Sequence, residues 1–114
     1  MDTQEARREL LQLGERAFEL ARRFRDGDAP SKDDRSNLRE MVLTARATLP
    51  DAGYPGEGIW RGLQRTSMGA ETWLDGSDST FWDDVLAEIE SGIDTLRPLV
   101  SPGVSRDSDF YVVG

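Results

Sequence analysis

Four times along this chain, apolar residues recur every three or four positions, the period of an α-helix. Each run is closed by a stretch rich in glycine, proline or aspartate. The first run, Leu10, Leu11, Leu13, Ala17, Phe18, Leu20, Ala21 and Phe24, places a helix over Thr3 to Arg25. Its outer face carries Glu15, Glu19, Arg22 and Arg23, with Glu19 four residues before Arg23, the favourable order for an ion pair along a helix. Asp26-Gly27-Asp28-Ala29-Pro30 ends it. Ser31 is a ready cap for a second helix, with Asp33 and Asp34 in its first turn and Leu38, Met41, Val42, Ala45 and Leu49 on its core face. The turn-rich segment from Pro50 to Gly56 is expected to stop it.

The third run, Ile59, Trp60, Leu63, Ala70, Trp73 and Leu74, predicts a helix over Glu57 to Leu74. Glycines at 58, 62 and 69 each weaken a helix by about 1 kcal/mol relative to alanine. Gly58, Gly62 and Thr66 also form a strip of small residues spaced by four, which would let a neighbouring helix approach closely; the alternative is a helix that frays at Gly58 or kinks at Gly69. Asp75 to Ser79 reads as a turn. The fourth helix is placed over Thr80 to Arg97, with Thr80 and Asp83 as an approximate capping box and Phe81, Trp82, Val85, Leu86, Ile89, Ile93 and Leu96 as its core face. Four such helices with short connections predict an all-α fold, a small antiparallel four-helix bundle or two packed helical hairpins. The bundle occupies residues 1–98, and residues 99–114 form an irregular C-terminal tail rich in Ser, Gly and Pro that ends in the apolar patch Phe110-Tyr111-Val112-Val113. The expected common core contains Leu10, Phe24, Leu38, Val42, Leu63, Val85, Ile89 and Ile93.

Composition narrows the chemistry. The chain has neither cysteine nor histidine, which removes disulfides, thiolate and imidazole metal sites, and the usual nucleophilic triads. A carboxylate-only metal site, the basis of a metal-dependent nucleotide hydrolase, normally sets acids three apart and facing inward. Here the helical acids pair at four: Glu5 with Glu9, Glu15 with Glu19, Asp84 with Glu88, Glu90 with Asp94. Each pair flanks an apolar stripe, so it is placed on the solvated face. No metal, cofactor or catalytic residue is therefore expected. Gly56, Gly58 and Gly62 follow helix and turn rather than a strand, so they do not make a dinucleotide loop.

Trp60-Arg61-Gly62 is similar to the tripeptide of the small helical-hairpin proteins exported by type VII secretion, and the chain length is similar as well. That family has two long helices meeting at the tripeptide, whereas Gly27 and Pro30 break the first half here. Only three residues follow Tyr111, so the family's Tyr-x-x-x-acid signal does not fit. The resemblance does not assign the chain to that family.

Net charge is −8, from 22 acidic and 14 basic residues. The net negative charge concentrates after Gly76, where only Arg97 and Arg106 are basic, and this argues against free nucleic acid as a direct partner. No apolar run reaches the roughly 18 residues of a membrane span, and the polar start lacks the features of a signal peptide, so a cytoplasmic protein is expected. By elimination the sequence points to a non-enzymatic protein-protein interaction module of the adaptor, inhibitor or immunity type, whose partner carries a basic surface. A homodimer is compatible with this reading. The alternatives are an acidic nucleic-acid mimic that inhibits a nuclease or other defence enzyme and, third, a metal-dependent nucleotide hydrolase. Candidate contact residues are Asp83, Asp84, Glu88, Glu90 and Asp94 on the outside of the fourth helix, together with Trp60, Phe110 and Tyr111. All three tryptophans lie on apolar stripes, where a core role is the simpler expectation.

Overall fold

The computed structural model describes residues 1–73 and 78–100. The described residues form four α-helices and no strand: α1 Thr3–Arg25, α2 Lys32–Ala52, α3 Glu57–Glu71 and α4 Ser79–Leu96. Single 3₁₀ turns, Tyr54–Gly56 and Arg97–Leu99, precede α3 and follow α4. No helix among them is long and apolar enough to cross a membrane. The predicted turn at Asp75 and the tail patch, including Phe110 and Tyr111, lie outside the described residues.

Helix ends follow side-chain chemistry, sometimes at other residues than the sequence indicated. Asp2 caps α1 in a full capping box with Glu5, and its Oδ1 accepts from the Glu5 N–H at 2.8 Å. Ser31 and Asp34 do the same for α2. Burial raises the Asp34 carboxyl, but hydrogen bonds from the Ser31 backbone and hydroxyl and the nearby Arg23 guanidinium outweigh it. The carboxyl therefore sits below its ordinary value. At α4 the expected Thr80–Asp83 box does not form. Asp78 is the cap, accepting from the Phe81 N–H at 3.1 Å, which frees Asp83 to pair with Arg25 of α1.

Two helix ends are now located. The segment from Pro50 to Gly56 ends α2 as expected, with the last helical residue at Ala52 and not before Pro50. Ala52 is fully buried, its carbonyl accepts from Arg7 Nε at 3.0 Å, and Gly53 at φ 81° turns the chain out. These contacts hold the last turn although proline lacks the N–H it would donate there. The third helix ends at Glu71 rather than Leu74, with the Thr72 N–H on the Met68 carbonyl.

Each helix buries one stripe. α1 packs on α2 and α4, α3 packs on the same two, and α1 also meets α3 across the middle. The common core includes Leu10, Phe24, Leu38, Leu63, Val85, Ile89 and Ile93. Val42, expected among them, is only half-buried because it lies at the edge of the α2 stripe, beyond Leu38, Met41 and Ala45. Among the described residues the two buried hydroxyls are satisfied within their own helices, Thr48 on the Thr44 carbonyl and Thr66 on the Gly62 carbonyl. One end of the core is aromatic. Trp82 is almost fully buried, with ring centroids 5.3 Å from Phe24, 6.4 Å from Trp73 and 5.0 Å from Phe81.

The strip Gly58, Gly62, Thr66 does bring a neighbour close, and that neighbour is α4. A Cβ built on Gly92 would lie 2.8 Å from the Ile59 backbone nitrogen, and one on Gly58 would lie 3.2 Å from the Gly92 Cα. Main chain meets main chain there, so a methyl group has no flexible neighbour to push aside. Gly92→Ala is therefore expected to destabilise by about 1–3 kcal/mol, the range for overpacking. Helix propensity alone would make the same change stabilising by about 1 kcal/mol. Urea unfolding decides between these signs.

Candidate interaction surface between the first and fourth helices

The core residues of α4, Trp82, Val85, Ile89, Ile93 and Leu96, define its inward direction and leave its acids on two different flanks. Glu88 lies on the α3 side, where Oε1 accepts from Arg65 Nη1 at 3.0 Å and Oε2 from Arg61 Nε at 3.4 Å. Arg65 also lies over the Phe81 ring, 5.3 Å from its centroid. Asp83 lies on the α1 side, paired with Arg25. The five acids predicted as one outer face are thus divided, and two are neutralised by arginines of adjacent helices. Asp84 is exposed and makes no ion pair among the described residues.

Glu90 and Asp94 are brought together with α1. Arg25, at the end of α1, meets Asp83 near the start of α4, and Glu15 meets Arg97 just past its end, at 3.1 Å. These two helices therefore run antiparallel, and a cleft opens between them. Its larger part, about 390 Å³, is lined by Glu15, Phe18, Glu19, Glu90, Ile93, Asp94 and Arg97. The adjoining part, about 320 Å³, shares Phe18 and adds Leu86, Asp83, Asp26, Arg22 and Arg25. Phe18 and Leu86 are half-buried and lean on the core, so the floor is apolar.

The walls are unequal in charge along the length. Toward Arg97 stand four carboxylates and one guanidinium, and only Glu15 is paired with it. Toward Arg25, acids and bases balance, with Asp26 and Asp83 both paired to Arg25. Glu19, Glu90 and Asp94 have no ion pair among the described residues. The pair expected between Glu19 and Arg23 does not form, because Arg23 turns toward α2 and reaches Asp34 at 3.4 Å and Asp28 at 3.8 Å.

Trp60 does not join this surface. It is half-buried on α3, packed against the core. Glu15, Phe18, Glu19 and Leu86 are among the lining residues that were not singled out from sequence as contact residues. The available signal was the like-charge pairs spaced by four on both helices, which stand out once the two helices are known to be neighbours. No three acidic side chains among the described residues come together as a metal-holding group. Comparison with protein-family models, curated proteins and solved structures gives no significant match for this chain.

Proposed function

We propose that this chain is a non-catalytic protein-binding module of the adaptor, inhibitor or immunity type, which takes its partner along the α1/α4 face. The observation that supports this is the cleft itself. Half-buried Phe18 shares the larger part of the cleft with the carboxylates of Glu19, Glu90 and Asp94, which have no ion pair among the described residues, and Leu86 extends the apolar floor toward Arg22 and Arg25. Apolar surface beside charge that is mainly carboxylate suits a complementary protein surface better than a small substrate, because nothing encloses it. In this reading the arrangement is an antiparallel four-helix bundle over residues 1–98, working in the cytoplasm. Residues 99–114 supply Phe110 and Tyr111 as an additional contact. The nucleic-acid mimic draws less support, since Asp83 and Glu88 are already matched by arginines of the same chain.

The test is site-specific photo-crosslinking in native host extract. A photoreactive residue at Glu90 is expected to give a discrete protein adduct, and one at Ser36, exposed on α2, is expected to give none. Equal labelling from both positions, or no adduct from Glu90, would reject the proposal.

A further inference from the structure

We infer that the occupant of the α1/α4 cleft is an amphipathic helix of the partner protein, with an apolar stripe flanked on both sides by lysine or arginine. This inference rests on the protein-binding reading above. Charge comes first. Glu15 and Glu19 line one wall and Glu90 and Asp94 the other, each pair one helical turn apart. Like charges so spaced repel each other. Arg97 pairs only with Glu15, and the remaining three carboxylates have no ion pair among the described residues. A ligand with bases on both edges supplies what the walls lack.

Shape comes second. The cleft is a groove between two antiparallel helices, with Phe18 and Leu86 along its floor. At 1.5 Å per residue, the stretch of α1 from Glu15 to Arg25 extends about 15 Å. That matches roughly ten residues of a docked helix, close to three turns. A helix satisfies its own backbone and packs its ridges into such a groove. An added strand has no partner here, because the described residues contain no sheet edge. The charge gradient also orients the ligand, with its most basic turns toward Arg97 and its neutral end toward Arg25.

The full chain, isotope-labelled for NMR, is titrated with three synthetic peptides. One is a lysine-flanked leucine helix of three to four turns, the second carries glutamate in place of lysine, and the third is the lysine peptide interrupted by proline. The lysine helix is expected to bind, with shifts centred on Phe18, Leu86 and Glu90, and to weaken at least about tenfold from low to high salt. Glu90→Lys with Asp94→Lys, both at exposed positions, is expected to weaken it about tenfold or more. Glu40→Lys with Asp51→Lys on α2 is expected to change it less than about twofold. Thermal melts of both double variants check that the fold is kept.

Equal binding of the proline or glutamate peptide, shifts on another face, or indifference to the Glu90/Asp94 reversal would overturn the inference. So would sedimentation showing that the cleft is covered by a second copy of this chain. A Glu90 crosslink to a partner without lysine-helix binding would remove this inference alone. Loss of the crosslink itself removes the reading beneath it.

Discussion

Replacing Trp82 with alanine is expected to cost about 3–5 kcal/mol, the range for deleting a buried aromatic side chain. Only 2% of its surface is exposed, and its ring is surrounded by Phe24, Trp73 and Phe81. Those rings meet it at tilted or edge-on angles, an arrangement that adds to simple burial. α3 also approaches closely at this point, since a Cβ on Gly69 would lie 2.7 Å from the indole. The backbone is therefore already close, and the void left by alanine has little room to collapse. A domain of this size typically has about 5–15 kcal/mol of stability, so the variant would unfold at a much lower urea concentration, with the slope of the transition unchanged. A loss below about 1 kcal/mol would mean that the indole is not packed as described.

The second large effect is expected at Ile89, and it comes with a signature. Ile89 is 1% exposed and its Cγ1 occupies the space over Gly62, 2.5 Å from where a Cβ would stand. Ile89→Ala should destabilise by about 2–5 kcal/mol through the cavity it leaves. Gly62→Ala should also destabilise, through overpacking against the same atom. In the double variant the new methyl enters the vacated space, so the cost should fall clearly below the sum of the two single costs. A double-mutant cycle measures this coupling. Strict additivity would mean that the two positions do not share that volume.

Most of the fold was legible because the helical period repeats cleanly and because Ser31 is a standard capping residue. The differences were local competitions. Pro50 normally ends a helix, yet Ala52 buries fully and Arg7 takes its carbonyl, a contact 45 residues distant in sequence. Asp83 is a sound capping-box partner for Thr80 in isolation, but Arg25 on another helix claims it and the cap moves to Asp78. The glycine strip on α3 was legible as a close-approach surface, but not that Gly92 lay opposite.

The candidate site was less legible for the same reason. A helix's acids can be read as pointing away from its apolar stripe. Which flank each one occupies, and which arginine meets it, depends on the neighbouring helices. Glu88 and Glu90 are two residues apart, yet one is matched by Arg61 and Arg65 while the other opens into the α1/α4 cleft.

The aromatic end of the core also gives the protein an optical label of its own. Trp73, just past α3, and Trp82, in the first turns of α4, have ring centroids 6.4 Å apart and planes inclined by 43°. Indole transition dipoles that close and that oblique couple, and the result is a paired circular-dichroism band in the ultraviolet that a lone tryptophan does not produce. Trp60 is part of neither the pair nor its ring cluster. With Trp60 changed to phenylalanine, tryptophan emission would report on the junction of α3 and α4 alone. Loosening at that end could then be followed in real time without attaching a dye.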